Sequence, residues 1–307
     1  MKRHQHTIGR PVDLSGKGLH TGAETSVTFR PAPENSGIRF VRPDLPGSPE
    51  LEADVNRVAG VSRGTVLSSG EVTVHTVEHL LAAVTGLEID NIRVELTHRE
   101  PPALDGSARG FVEALLEAGI VRQSAPRQVL KIEEAVNYFR HDTGTSIDVI
   151  PFPGFRVTCT LEYDHPVPGY QTFTMASLDD FPDQIAPART YCFLSELNEL
   201  RRKGLAKGGN LDNAIVIVDR ELDEREIRRL KSLFQIDTDI VVGGNGILQG
   251  TPLRFSDEPV RHKVLDLMGD LALLRIPLEG HVIATRSGHA SHVEVVRRIR
   301  EMSWSHA

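Results

Sequence analysis

Two histidines and a glutamate that could serve a metal stand close together at residues 75–79. They read His-Thr-Val-Glu-His, the H-x-x-E-H pattern in which two histidines bind zinc and the glutamate acts as a base. That chemistry needs His75 and His79 on one helix. The residues before Thr76 alternate like a strand and Thr76 is a favoured N-cap, so we expect the helix to begin directly after it. His75 then lies outside the helix, and Glu78 with His79 is the pair that remains.

A second group of metal-ligating side chains occurs near the end of the chain, in RHKVLDLMGD. His262 and Asp266 are four residues apart, so on a helix they share one face, together with Lys263 and Asp270. An imidazole and a carboxylate are ligands that zinc accepts. The alternative is a solvated helix face that carries a modest histidine–aspartate pair. The helix alone is compatible with both interpretations.

These two groups lie at matching positions of an internal repeat. The order helix, strand, loop, helix occurs in both halves of the chain. The spacing from His79 to Ser107 is 28 residues, and the spacing from His262 to His289 is 27 residues. We therefore predict two similar domains whose equivalent helices face each other across an interface, which is a usual place for a site.

Composition and charge restrict the class of protein. A chain of 307 residues suits one large domain or two of ordinary size. The net charge of −7 argues against nucleic-acid binding. No apolar run reaches the roughly 18 residues of a membrane span, and the first residues lack the apolar stretch of a secretory signal. Cys159 and Cys192 form no C-x-x-C motif, so we expect a cytoplasmic protein without a thiolate zinc site.

The elements that must position the candidate residues indicate a mixed α+β architecture. Short strands between Pro/Gly turns fill the first third, and helices follow. Residues 121–128 are polar, aperiodic and contain a proline, so we place the domain boundary there, with domains at 1–124 and 125–307. In the second half we predict a helix over 188–205. An insert follows around 221–251, and its segment GGNGILQG is predicted to be a turn or hairpin loop.

Seven longer segments carry a resemblance to a known family. In chain order, those that resemble the bacterial UDP-3-O-acyl-N-acetylglucosamine deacetylases are GKGLHTG, TVEHLLAAVTGLEIDNIRVEL, PPALDGSARGFVEALLEAGI, APARTYCF, GLAKGGNLDNAIV, LRFSDEPVRHKVLDLMGDL and SGHASH. The resemblance implies two similar domains, each a β-sheet packed against helices, with the active site between them. It also implies a zinc amidase of lipid A biosynthesis in a Gram-negative bacterium. The implied reaction hydrolyses the N-acetyl amide of UDP-3-O-(3-hydroxyacyl)-N-acetylglucosamine to the free amine and acetate.

The resemblance also implies roles for particular residues. By similarity, His79, His262 and Asp266 bind one Zn²⁺ ion per chain, and Fe²⁺ would suit the same ligands. Glu78 corresponds to the family's general base, which takes a proton from a zinc-activated water. His289 corresponds to the general acid or cationic partner that stabilises the oxyanion.

Further matched positions complete the expected site. Asp270 would orient His289, Thr190 would donate its hydroxyl to the oxyanion, and Lys263 would meet the oxyanion or the substrate phosphate. Asp270 could instead be a surface residue, and Thr190 a helix N-cap. The residues matched to the acyl tunnel and the sugar-nucleotide side are Leu19, Tyr163, Tyr191, Leu197, Gly209 and Ala214. The leucines, glycine and alanine are also ordinary core residues.

Two other functions are open to the same residues. The first is a metallopeptidase that uses His75 and His79, although the family commonly has other residues at position 75. The second is a non-catalytic protein that binds a sugar nucleotide. Against the second, Glu78, three ligands and His289 occur together. The segment around 221–251 is longer than in the shorter family members. We expect a small UDP-acyl-sugar substrate and no nucleic acid, transmembrane segment or obligatory protein partner.

Overall fold

The N-terminal half of the chain contains most of the short strands. The computed structural model describes residues 3–249 and 252–305. In chain order, the strands β1 to β10 are His4–Ile8, Val12–Lys17, Glu24–Pro31, Ile38–Val41, Glu50–Glu52, Val58–Gly60, Val66–Ser69, Val72–Val74, Ile92–Leu96 and Ile120–Pro126. The helices of this half are α1, Glu78–Gly86, and α2, Arg109–Ala118.

The C-terminal half begins after β10 and contains the longer helices. The strands β11 to β18 are Leu130–Lys131, Val136–Arg140, Thr145–Ile150, Phe155–Glu162, Tyr170–Met175, Tyr191–Phe193, Ile215–Ile217 and Leu278–Thr285. The helices α3 to α6 are Leu194–Arg202, Glu224–Phe234, Glu258–Leu271 and His289–Ser305. Single helical turns occur at Val55–Arg57, Leu178–Asp180, Phe181–Ile185 and Ala272–Leu274.

The main sheets of the two halves have the same strand order. In the N-terminal half the order is β2-β3-β9-β4-β5, and in the C-terminal half it is β12-β13-β18-β14-β15, with β11 also paired to β18. The central strand β9 is antiparallel to β3 and parallel to β4. Its counterpart β18 is antiparallel to β13 and parallel to β14. The predicted α+β fold and its internal repeat are therefore confirmed.

Each central strand buries one face. Along β9, Ile92, Val94 and Leu96 are buried and alternate with half-buried residues. The same alternation runs through β18. Because successive side chains of a strand point to opposite faces, one face of each sheet forms the core and can be covered by helices. Helices α5 and α6 pack on the second sheet, and α2 packs on β2 of the first.

Helices α1 and α5, one from each half, pack directly against each other. Both are almost fully buried, because each lies between its own half and the other half. Gly269 permits a very close approach: a Cβ there would lie 2.1 Å from the backbone oxygen of Glu78. The first turn of α1 is therefore held against the last turn of α5.

The polar segment at 121–128 is more ordered than predicted. Residues Ile120–Pro126 form β10, which pairs antiparallel with β1 at the other end of the N-terminal half. The absence of a hydrophobic pattern is explained by the exposure of this two-stranded ribbon, in which most residues of β10 are exposed or half-buried. The boundary between 124 and 125 thus falls inside a strand, and it remains a proposal.

The predicted helix over 188–205 was only partly right. Tyr191–Phe193 form β16, which pairs in parallel with β17, and the helix α3 starts only at Leu194. Within the 221–251 insert, α4 is a helix and Val242 bridges to Leu248, as expected for a hairpin loop. Residues 250 and 251 lie outside the described residues. Among the described helices, none has the length and apolar character needed to span a membrane.

Candidate metal centre and active site

The H-x-x-E-H segment is divided between a loop and a helix. Strand β8 ends at Val74, and α1 starts at Glu78. His75 therefore lies outside the helix, as predicted. The expected N-cap was wrong: Thr76 has a positive φ of 53° and its hydroxyl donates to Oε1 of Glu100 at 3.0 Å, and no side chain caps the helix. The segment brings Glu78 and His79 to the first turn of α1, without His75.

His79, His262 and Asp266 converge from α1 and α5. The ligand atoms of these three buried side chains all lie within 4.8 Å of one another. The imidazole rings of His79 and His262 meet edge to face, with centroids 4.9 Å apart. One oxygen of Asp266 lies 3.4 Å from Nε2 of His262 and 3.8 Å from Nε2 of His79. The polar side of α5 is thus a buried cluster and not a solvated face.

The chemistry of this cluster suits a divalent cation. The Nδ1 atom of His262 lies 3.0 Å from the carbonyl oxygen of Ala188. If Nδ1 carries the proton and donates it there, the Nε2 lone pair faces the cluster. Burial lowers the pKa of His262, and burial and His262 lower that of His79 to about 3. Burial favours a neutral Asp266, but Lys263 and His262 outweigh it and lower its pKa. Two neutral imidazoles and one carboxylate match the donor set of a catalytic zinc site.

Glu78 lies beside this cluster and is held at one oxygen. Its Oε2 accepts the backbone N–H of Thr65 at 3.0 Å, and its Oε1 lies 3.7 Å from Nε2 of His289. Burial raises the pKa of Glu78 to about 7, although the nearby His289 opposes the shift. A carboxylate with this pKa can accept a proton near neutral pH, as a general base must.

His289, the first residue of α6, forms a pair with Asp270. Its Nδ1 lies 2.7 Å from Oδ2 of Asp270, whose side chain is fully buried, so Asp270 is not a surface residue. Burial lowers the pKa of His289, but Asp270 and Glu78 outweigh burial and raise it to about 10. Burial raises the pKa of Asp270, but the nearby His289 outweighs burial and lowers the pKa of Asp270 to about 2. The pair is therefore an imidazolium and a carboxylate at neutral pH.

Two further predicted residues border the cluster. Lys263 donates to Oδ2 of Asp266 at 2.8 Å, and its ammonium lies 5.7 Å from the centre of the Tyr191 ring. Burial lowers the pKa of Lys263, but Asp266 outweighs it and keeps the pKa above its usual value, so the side chain is a cation. Thr190 precedes β16 and is not a helix N-cap, and its backbone N–H donates to Gly106 at 2.8 Å.

A cavity of about 390 Å³ opens onto Glu78, His79 and His289. The predicted residues that line it, besides those three, are Leu19, Thr190, Tyr191, Leu197, Gly209, Ala214, His262, Lys263 and Asp266. Tyr163 is not among the lining residues, but its hydroxyl lies 3.1 Å from that of Tyr191. The structure thus brings together the predicted metal, catalytic and most substrate-binding residues in one place.

The lining includes two groups that the sequence had not indicated. One is apolar and comes from α3, β17 and α4, with Leu200, Val216 and Phe234. The other is polar and lies around the start of α6, with Arg140 and Arg286. The backbone oxygen of Arg286 accepts from Thr145, another lining residue, at 3.0 Å. The cavity therefore has an apolar wall and a second wall with two guanidinium groups, which are paired with Asp142 and Glu162.

Sequence reasoning also missed Thr65 and His292, which both contact Asp270. His292 places Nδ1 2.8 Å from the Asp270 oxygen that His289 uses, and the hydroxyl of Thr65 donates to the other oxygen at 2.5 Å. The spacing of the two histidines in SGHASH, three residues apart at the start of a helix, could have indicated His292. Thr65 acts partly through its backbone N–H, so no pattern of residue types in the sequence could have indicated it.

Comparisons with known proteins agree with this geometry. The profile of the LpxC family, described as UDP-3-O-acyl N-acetylglycosamine deacetylase, matches residues 5–235 and 230–301. The bifunctional enzyme LpxC/FabZ of Chlorobaculum tepidum is 47% identical over 97% of this chain, which spans 64% of that enzyme's length. The UDP-3-O-acyl-N-acetylglucosamine deacetylase of Myxococcus xanthus is 40% identical over 96% of this chain and 86% of its own length. The enzyme of that name from Bdellovibrio bacteriovorus is 38% identical over 96% of this chain and 89% of its own length. The chain therefore belongs to the LpxC family of UDP-3-O-acyl-N-acetylglucosamine deacetylases.

Proposed function

We propose that this chain is a zinc-dependent deacetylase of lipid A biosynthesis. It hydrolyses the N-acetyl amide of UDP-3-O-(3-hydroxyacyl)-N-acetylglucosamine and releases acetate and the free amine. The observation that carries the proposal is the junction of α1 and α5. There a base, Glu78, and the ligand group of His79, His262 and Asp266 share one cavity, in a chain of this family.

The metal would be held by His79, His262 and Asp266. When bound, a Zn²⁺ ion supplies Lewis-acid activation of the amide carbonyl and of the attacking water. Lys263 donates to the Asp266 oxygen Oδ2, and Ala188 faces Nδ1 of His262. These contacts fix the orientation of two ligands, as the partners behind metal ligands commonly do.

Glu78 acts as the general base. Its Oε2 is occupied by the N–H of Thr65, so Oε1 is the oxygen that takes the proton of the attacking water. His289 lies 3.7 Å from that oxygen and is held as a cation by Asp270. A proton that arrives on Glu78 is therefore next to the group that must pass one to the departing amine.

His289 stabilises the negative charge that develops on the amide oxygen or protonates the leaving nitrogen. Lys263 and Thr190 line the same cavity, and we assign them to the oxyanion, with Lys263 also able to meet a substrate phosphate. Preorganised cations and hydroxyl donors in a buried site stabilise such charge far better than water does.

The two walls of the cavity suit the two ends of the substrate. The acyl chain is assigned to the apolar wall, which includes Leu19, Leu197, Gly209, Ala214 and Phe234. The diphosphate is assigned to the wall with Arg140 and Arg286, near the start of α6, where it would compete with the carboxylates of Asp142 and Glu162. Anions favour both guanidinium groups and helix N-termini. Tyr191, with Tyr163 behind it, is assigned to the sugar-nucleotide side.

The site of the reaction in the cell is assigned from the cysteines. Cys159 and Cys192 are both free thiols, as is usual in a reducing compartment. We assign the reaction to the cytoplasm of a Gram-negative bacterium. We also propose that the two halves are domains with a boundary near residue 124.

The test is release of acetate from the UDP-linked N-acetyl sugar by purified protein. The protein is stripped with a chelator, and Zn²⁺ or Fe²⁺ is restored at one ion per chain. We expect activity that disappears with the metal and returns with it, and no activity toward peptides. Protein that binds zinc stoichiometrically and releases no acetate would overturn the proposal in favour of a non-catalytic sugar-nucleotide-binding protein.

A further inference from the structure

Thr65 connects the acid–base groups of the two halves. It is fully buried and directly precedes β7, in the N-terminal half. Its backbone N–H donates to Oε2 of Glu78 at 3.0 Å, and its hydroxyl donates to Oδ1 of Asp270 at 2.5 Å. Glu78 belongs to α1 and Asp270 to α5, so one residue contacts groups on both sides of the helix junction.

The first of these bonds determines which oxygen of Glu78 faces the cavity. With Oε2 bonded to Thr65, Oε1 is the atom that lies 3.7 Å from Nε2 of His289. The preceding residue contributes space: a Cβ at Gly64 would lie 3.0 Å from Oε1 and would crowd it. The segment from Gly64 to Thr65 thus fits closely around the Glu78 carboxylate.

The second bond completes the environment of Asp270. Its Oδ2 is shared by Nδ1 of His289, at 2.7 Å, and Nδ1 of His292, at 2.8 Å. Its Oδ1 accepts from Thr65, whose hydroxyl oxygen also lies 3.4 Å from Nδ1 of His289. A buried carboxylate that loses a donor must find another or reorient, because an unsatisfied charged acceptor is costly. Removing the hydroxyl should therefore leave Oδ1 without its donor and shift the carboxylate that holds His289.

We propose that Thr65 is a positioning residue, which keeps Glu78 and the Asp270–His289 pair at a fixed separation across the two halves. It is outside the metal-ligand cluster, and it acts through the two groups that it hydrogen-bonds. The consequence for rate rests on the proposed deacetylase function, whereas the hydrogen bonds can be tested without substrate.

The kinetic test compares Thr65→Val with Thr65→Ser in zinc-loaded protein. Valine keeps the shape and the backbone N–H but removes the hydroxyl, whereas serine keeps the hydroxyl. We expect Thr65→Val to lower kcat about 10- to 100-fold, by analogy with the range found for the hydrogen-bond partners of metal ligands. KM and the zinc content should remain within about twofold of the wild type, and Thr65→Ser should restore most of kcat.

Controls separate positioning from simple damage to the core. Thr25 is a buried threonine of β3 whose hydroxyl has no hydrogen-bond partner among the described residues, so Thr25→Val should leave kcat unchanged. In an Asp270→Asn background, adding Thr65→Val should lower kcat by a further factor of less than about three. The effects should not add in full, because the two residues act through one hydrogen bond. If Thr65→Val does not fold, Thr65→Ala takes its place in each comparison.

The second readout needs no activity. In nitrogen-15 NMR spectra of the zinc-loaded protein, the Nδ1 proton of His289 should resonate far downfield because it is bonded to Asp270. That signal should shift or broaden in Thr65→Val and stay in Thr65→Ser. An unchanged signal in Thr65→Val, an unchanged kcat, or an equal loss in Thr65→Ser would overturn the positioning role. If the wild type releases no acetate, the deacetylase proposal fails, and the NMR comparison still decides the role of Thr65.

Discussion

Helices α1 and α5 occupy equivalent places in sheets of the same strand order, yet they contribute very different chemistry. Helix α1 supplies Glu78 and His79 from its first two residues, and the buried positions that follow are apolar or glycine. Helix α5 supplies His262, Asp266 and Asp270 along more than two turns. The repeated scaffold brings the two helices together, and the polar residues that make the site are concentrated on one of them.

The second helices of the two halves differ in the same way. His289 starts α6 and faces Glu78, whereas Ser107, its counterpart by spacing, precedes α2 and donates to Oδ1 of Asp105 at 2.7 Å. The same position thus faces the proposed general base in one half and forms a local turn in the other. Because the scaffold is symmetric and the site is not, substitutions at positions other than the proposed metal ligands should have unequal effects in the two halves.

Loss of a metal ligand should have the largest effect, and it should be equal for the two halves. His79→Ala and His262→Ala each remove one of the three proposed ligands, so both proteins should lose bound metal and all measurable acetate release. His75→Ala is the matched control and should keep both, because His75 lies outside α1. Metal per chain after dialysis and initial rates measure this. Loss of zinc in His75→Ala alone would revive the peptidase-type pair.

The Asp270–His289 pair of the C-terminal half should affect the rate more than the corresponding position of the N-terminal half. We expect Asp270→Asn to lower kcat about 10- to 100-fold with the metal retained, because His289 loses the carboxylate that holds it as a cation. Ser107→Ala, at the counterpart of His289, should change kcat less than about twofold. Equal losses of kcat in Asp270→Asn and Ser107→Ala, measured on zinc-loaded protein, would mean that the two halves contribute equally to the rate.

Two glycines at equivalent helix positions should also differ. A Cβ at Gly269 would lie 2.1 Å from the backbone oxygen of Glu78, and one at Gly86 would lie 2.1 Å from the ring of Phe181. A backbone cannot turn away, whereas a side chain can. Gly269→Ala should therefore lower the free energy of unfolding by about 1–3 kcal/mol and reduce kcat as well. Gly86→Ala should lower the free energy of unfolding by less than Gly269→Ala does, and it should leave kcat near that of the wild type. Denaturant titration and kinetics would measure the two quantities.

The smallest expected effect is the dependence of kcat/KM on pH. Glu78, with a pKa raised to about 7, acts ionised, so kcat/KM should rise with pH as it loses its proton. A bound cation lowers that pKa and moves this limb to lower pH. His289, with a pKa raised to about 10 in the metal-free site, acts protonated, and the bound cation lowers this pKa too, so kcat/KM should fall at a pH below about 10. Asp270→Asn should move the alkaline limb to lower pH. A flat profile from pH 5 to 11 would contradict the pairing.

The sequence could predict the features that depend on short spacings. The i, i+4 relation of His262 and Asp266 is local to one helix, and the matched spacings of the two halves indicated that His79 would face them. The division of the H-x-x-E-H segment also followed from a local strand pattern, although the helix starts at Glu78 without a side-chain cap.

The features that depend on distant partners could not be predicted. Residues 120–126 are a strand because they pair with β1, more than a hundred residues earlier. Residues 191–193 are a strand because they pair with β17, which overrides a helix-like pattern. Thr65 contacts Asp270 across 205 residues of sequence, through a hydroxyl that no motif marks. In each case a long-range contact outweighs the local preference.

The central claim is that one site is assembled from a base on α1 and a ligand group shared by α1 and α5. Its most direct test is to measure zinc content and acetate release of Glu78→Gln beside the wild type. We predict one zinc per chain in both proteins and a rate about 10²- to 10⁴-fold lower in the variant, because Glu78 transfers a proton and binds no metal. A rate within tenfold of the wild type, or loss of the zinc, would contradict the account.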